Sequence, residues 1–196
     1  TIYAADVRHT ALSRDMMTTP TKGFTLIETM VAISILTIAI IGPMFALQQG
    51  VVSSYTARDR LVAANLAQDG VEFVHAVRDG NYLYNIANPG SPRSWFYSLD
   101  GTNGSVDCTG GAKCAVDGYY NTVLLCSSTC PKLKLLSTGF YNQGAISGTN
   151  PETGFTRTVQ LSRISPTEMK VSVTVNWITG GLPYSIEIVE HLRDWL

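Results

Sequence analysis

Phe24-Thr25-Leu26-Ile27-Glu28-Thr29-Met30-Val31-Ala32-Ile33-Ser34-Ile35-Leu36-Thr37-Ile38-Ala39-Ile40-Ile41-Gly42-Pro43-Met44-Phe45-Ala46-Leu47 is an apolar run interrupted by a single charge, Glu28. From Thr29 to Leu47 no residue is charged. That length is close to the ~20 residues that cross a bilayer as a helix. It exceeds an ordinary secretory hydrophobic region, and no small-residue cleavage site follows it. Arg8, Arg14 and Lys22 all lie on its N-terminal side. The positive-inside rule keeps that end in the cytoplasm and exports the bulk of the chain. The expectation is a single-pass protein of the cytoplasmic membrane, spanning at about 28–47, with its head outside.

Working outward toward the N-terminus, residues 1–23 are polar and read as a leader. Met16 and Met17 stand just before Thr18-Thr19-Pro20-Thr21-Lys22-Gly23, and a start at either leaves a short basic leader. Toward the C-terminus, Gly42-Pro43 is a weak point where a kink is expected. Proline removes an amide donor and clashes with the preceding turn. Beyond it the pattern turns amphipathic. Val62, Ala63, Leu66, Gly70, Phe73, Val74 and Val77 fall on one helical face; Asn65, Gln68, Asp69, Glu72 and His75 fall opposite. The spacing predicts one long helix over 24–78, about 80 Å at 1.5 Å per residue. Its first half is apolar all round and its second half has one face to bury.

The remainder, 79–196, reads as a β-rich head. Residues 80–121 are rich in Gly, Asn, Ser and Pro and read as a long connection with short strands. Phe155–Ile164 alternates loosely, and Ser165-Pro166-Thr167 is a turn. Val171, Val173, Val175 and Trp177 alternate strictly with polar residues, as a half-buried strand requires. Gly180-Gly181 signals a hairpin, and Tyr184, Ile186 and Ile188 alternate again. An antiparallel meander is the obvious partner for the apolar face of the helix. The expected class is α+β, with a long N-terminal helix packed on a C-terminal antiparallel sheet.

Hydrophobic residues make up 45% of the chain and charged residues 15%. That charged share is low against the usual quarter, and the apolar excess sits in the N-terminal run. With a net charge of -1 and no basic stretch, no nucleic-acid partner is expected.

Lys22-Gly23-Phe24-Thr25-Leu26-Ile27-Glu28 resembles the processing site of type IV prepilins, the prepilin-type N-terminal cleavage and methylation family. In that family a membrane-embedded peptidase cuts after the glycine and methylates the new N-terminus. The resemblance implies cleavage between Gly23 and Phe24, N-methylation of Phe24, and Glu28 at the fifth position of the mature chain. A carboxylate at the edge of a spanning helix costs roughly 2.5–3.5 kcal/mol on insertion-type scales, so it should have a partner. The new amine of a neighbouring subunit would supply one. Glu28 also sits in a first helical turn, where the helix dipole favours an anion.

The stretches 64–72 and 77–79 look like the second half-helix of pilin-type proteins. Val171–Trp177 and His191-Leu192-Arg193-Asp194-Trp195 resemble minor pilins of the PilV type and the small pseudopilins of type II secretion. The fold implied is pilin-like. The implied role is a structural subunit, a minor pilin or pseudopilin, of a type IV pilus or a related secretion filament. The implied partners are other pilin subunits, a prepilin peptidase, an inner-membrane assembly platform and the cytoplasmic membrane. The rival reading is a membrane-anchored adhesive or ligand-binding module that never enters a filament, which leaves Gly23 and Glu28 without a purpose.

Cys108, Cys114, Cys126 and Cys130 have spacings C-x5-C and C-x3-C. An exported location favours disulfides. Zinc and free thiols are the alternatives, and four cysteines allow three pairings. His9, His75 and His191 are scattered, and no metal site or cofactor is expected. There is no H-E-x-x-H, nucleophile elbow or phosphate loop, so an enzyme is not expected. Tyr82, Tyr84, Trp95, Phe96 and Tyr97 form an aromatic cluster, read as packing under the long loop rather than as a binding face.

Overall fold

The computed structural model describes residues 23–144 and 150–194. Residues 1–22 of the leader, with its basic residues and His9, and Trp195 lie outside the described residues. The chain divides after Leu47 into two units, 1–47 and 48–196.

The described part of the first unit is the start of helix α1, Leu26–Ala87. Helix formation begins at Thr25, whose hydroxyl oxygen accepts the Glu28 amide at 3.3 Å. Every residue from 23 to 47 is exposed. Its best 18-residue window has a mean hydropathy of 2.4, so the segment is long and apolar enough to cross a membrane. The hydroxyls within it bond inward: Thr29 donates to the Leu26 carbonyl, Ser34 to Met30 and Thr37 to Ser34, each at 2.8 Å. Three polar side chains are thereby satisfied without water, as a hydrocarbon environment demands.

The second unit holds the remainder of α1 and the head. A short 3-10 turn, Thr102–Gly104, precedes β1 (Cys114–Asp117) and β2 (Thr122–Leu125). β3 (Lys134–Leu135) and β4 (Tyr141–Asn142) form a separate two-stranded ladder. β5 (Thr156–Ser165), β6 (Glu168–Thr179) and β7 (Leu182–Arg193) complete the main sheet, in the order β2-β1-β5-β6-β7. All its pairings are antiparallel. The β6–β7 hairpin turns at Gly180 and Gly181, with φ of 61° and 81°. Two successive positive φ values are what a tight hairpin turn asks for, and glycine supplies them without steric cost.

One long N-terminal helix and a C-terminal five-stranded antiparallel sheet make an α+β, pilin-like arrangement. The sheet buries Val159, Leu161, Val171, Val173, Val175 and Trp177 against Ala63, Leu66, Ala67, Val71, Phe73 and Val74 of α1. The approach is close at Gly70: a Cβ there would lie 2.8 Å from Val173 Cγ1 and 3.1 Å from Arg157 Cδ.

Two features differ from the sequence expectation. α1 starts at Leu26 and continues past Arg78 to Ala87, so Asp79-Gly80-Asn81 does not stop it. The reason is tertiary: Asn81, buried, donates its side-chain amide to the carbonyls of Trp95 at 3.2 Å and Tyr97 at 3.0 Å. Asn85 accepts from the Arg93 amide at 2.7 Å and donates to the Arg93 carbonyl at 3.0 Å. The extra turns are thus stitched to the loop that follows them.

The second difference is a polar group inside the core. Arg157 stands in phase with Val159 and Leu161 on the buried side of β5 and is 1% exposed. Its guanidinium donates to the carbonyls of Leu66 at 3.0 Å and Val116 at 2.7 Å, and pairs with Asp69. Its Nε approaches Gln143 Oε1 at 3.4 Å. Gln143 in turn donates to Pro131 and Arg157 carbonyls, and its amide bonds the buried Asp117. One guanidinium therefore ties α1, β1, β5 and the segment after β4 together. Buried charge is tolerated because its donors are satisfied.

Candidate functional site

The N-terminal segment is built from a short irregular stretch and the first turn of α1. Gly23, Phe24 and Thr25 have no regular secondary structure, and Phe24 is 80% exposed. The Gly23–Phe24 peptide bond lies in accessible chain immediately before the helix, as proteolysis requires. Thr25 acts as N-cap, and Glu28 follows three residues later, the spacing of a capping box. Glu28 is exposed in the first turn, where the unpaired amides and helix dipole favour a carboxylate. Phe24 and Glu28 thus flank the cap.

Gly42 and Pro43 lie inside α1, both exposed. Pro43 has no amide to give, so the Ala39 carbonyl lacks its normal intrahelical donor.

The cysteines form two disulfides, Cys108–Cys114 and Cys126–Cys130. Every thiolate that zinc would need is consumed, which displaces that alternative. The Cys108–Cys114 bridge is fully buried beside Leu161, while Cys126 is half-buried at the end of β2. His75 faces Glu190 at 3.1 Å and His191 faces Glu168 at 2.8 Å, so each described histidine pairs with a glutamate across the fold.

The aromatic cluster divides. Phe96 is fully buried and Trp95 packs on it with ring centroids 4.3 Å apart. Tyr82 remains 40% exposed. Arg93 is held over the Tyr84 ring at 3.3 Å and over the Tyr97 ring at 4.7 Å. Sequence reasoning missed Asn81, Asn85 and Arg93 as the organisers of this region. The available signal was the i, i+4 spacing of the two asparagines, which places them on one helical face.

Residues 19–42 match the family model described as the prokaryotic N-terminal methylation motif. No curated protein and no solved structure matches the chain. The matched motif belongs to a structural class rather than to an enzyme family. Together with the exposed apolar helix it fits a membrane-anchored, pilin-like protein. On the strength of that match, the N-terminal segment of this chain is a type IV prepilin-like signal.

Proposed function

We propose that the chain is a structural subunit, a minor pilin or pseudopilin, of a type IV pilus or a related secretion filament. A prepilin peptidase cuts between Gly23 and Phe24 and methylates the Phe24 amine. The subunit waits in the cytoplasmic membrane, held by the apolar half of α1, until an inner-membrane assembly platform extracts it. In the filament that half of the helix exchanges lipid for the apolar helices of other pilin subunits. Glu28 then gains the Phe24 amine of a neighbour as its partner, relieving the cost of a carboxylate at the membrane edge.

The observation that carries this reading is the methylation motif at residues 19–42, ending in an apolar helix with no buried residue before position 48. A helix of that kind needs a lipid or protein partner along its whole circumference.

Intact-mass and N-terminal analysis of the chain, expressed with and without its prepilin peptidase, tests the proposal. The expected product with the peptidase begins at Phe24 and carries one methyl group; Gly23→Leu stays uncut. An uncut wild-type chain under both conditions overturns the reading and leaves a plain membrane anchor bearing an adhesive head.

A further inference from the structure

The tip of the β6–β7 hairpin exposes two large aliphatic side chains, Ile178 at 68% and Leu182 at 61%. Neither belongs to the core cluster. No residue from Val171 to Ile186 is charged. The charged residues of the two strands, Glu168, Lys170, Glu187, Glu190 and Arg193, all lie outside that run. Asp194 bonds Thr167 at the opposite end of the hairpin. The eleven residues of β7 from Leu182 to Arg193 cover about 36 Å, which the two residues after Asp194, reaching at most ~7 Å, do not span.

Two contacts set the direction of the tip. Val173 packs at Gly70, and further along β6 the Thr179 hydroxyl donates to Asp59 Oδ2 at 2.5 Å. Arg60 stands over the Tyr184 ring, 5.8 Å from its centroid. β6 therefore runs toward the N-terminal end of the helix within the second unit. The Gly180-Gly181 turn points past Asp59 toward Gln48, where that unit begins. From Asp59 to Gln48 is about 16 Å along a helix. The turn beyond Thr179 takes up about 6–7 Å of it. The headgroup layer on one side of a bilayer occupies about 5–7 Å more, and the Leu182 side chain bridges most of the rest.

The residues just before Gln48 are the apolar run that, as proposed, crosses the membrane. The bilayer is therefore a neighbour that the tip already has before any protein partner arrives. Gln48 to Ala57 add no charge between the two. Tyr55 lies one helical turn before Asp59 and is 58% exposed. A tyrosine ring suits the membrane–water interface, with an apolar body and a polar end. Lowering an uncharged tip into that layer desolvates no ionic group of the hairpin.

We propose that the β6–β7 tip docks on the outer phospholipid surface while the subunit waits in the membrane. Ile178 and Leu182 enter the headgroup layer, with Tyr55 near the same depth. This rests on the proposed membrane span and adds a second contact, carried by the head, that extraction into a filament must break.

The test places a fluorophore on an added thiol in the full-length protein in phospholipid nanodiscs. All four native cysteines are held in disulfides, so the added thiol is labelled alone. Pro183→Cys puts the label at the tip, and Pro166→Cys puts it in the β5–β6 turn at the other end of the sheet. Phospholipid spin-labelled on its headgroup is the quencher. Quenching at 183 is expected to exceed that at 166 by at least about twofold. Ile178→Asp with Leu182→Asp, added to Pro183→Cys, is expected to remove that excess. Both positions are exposed, so the head's circular dichroism melt should hold; if it falls, the milder pair Ile178→Ser and Leu182→Ser takes its place. Equal quenching at 183 and 166 overturns the proposal. An excess that survives the double substitution also overturns it, because the tether alone then explains the proximity. A chain that fails to enter nanodiscs sinks the membrane span as well, whereas an inserted chain with an unquenched tip sinks this inference only.

Discussion

At the scale of single residues, Arg157 links α1, β1, β5 and the segment after β4 through one guanidinium. Its charge-assisted hydrogen bonds to buried carbonyls are worth about 1.5–3 kcal/mol each. Arg157→Met keeps an unbranched but shorter side chain and removes the donors to Leu66, Val116 and Gln143. The expected loss is at least about 3 kcal/mol, from two such bonds, read as a lowered urea midpoint by near-UV circular dichroism. Asp69, the ionic partner, is 57% exposed on its side chain. Asp69→Asn should therefore cost less than about 1 kcal/mol, the range for solvent-screened pairs. Equal losses in the two variants would show that the ion pair, rather than the carbonyl clamp, holds the network.

At the scale of elements, the contact of α1 with β6 turns on Gly70. Glycine costs a helix interior roughly 0.8–1 kcal/mol relative to alanine. Here that cost is offset by the close approach of Val173. Gly70→Ala should be destabilising on balance, because overpacking costs typically about 1–3 kcal/mol. Adding Val173→Ala should make the pair less costly than the sum of the single changes, measured as a coupling energy in a double-mutant cycle. Additive losses would place the clash elsewhere.

Elements of this kind were largely legible beforehand. The period-2 alternation of Val171–Trp177 and of Tyr184–Ile188 gave β6 and β7, and the paired glycines gave their turn. The buried face of α1 followed from its spacing, with Ala67 and Val71 added by the structure. The end of α1 was not legible. Asp79-Gly80-Asn81 has the composition of a stop, and only contacts with residues 93–97 overrule it. Arg157 was hidden for the same reason: its partners are 14 to 91 residues away. The motif at 22–28 was legible because it is contiguous, and the disulfide pairing was not, because spacing alone leaves three choices.

At the scale of the whole molecule, the two units answer to different solvents. The described residues of the first unit expose an apolar helix with its hydroxyls satisfied internally, while the head carries its own core and both disulfides. Reduction should therefore act on one unit and spare the other. Under a rising concentration of reductant, alkylation and mass analysis should find Cys126–Cys130 open before Cys108–Cys114, because the latter is wholly buried. Removing a native bridge typically costs about 2–5 kcal/mol, so the head's melting temperature should fall. The chain should nonetheless stay in the membrane pellet after carbonate extraction. Release of the reduced chain would mean that the head, not the helix, anchors it.

The Arg157 clamp joins residues separated by as many as 91 positions, and β6 and β7 come later still. A ribosome delivers the chain from the N-terminus. The apolar face of α1 is therefore made long before the strands that cover it, and it must remain uncovered through most of synthesis. Leu192, near the end of β7, is itself part of the core. The head therefore cannot close its core until Leu192 has been made, so its strands fold as one unit rather than as a series of independent pieces.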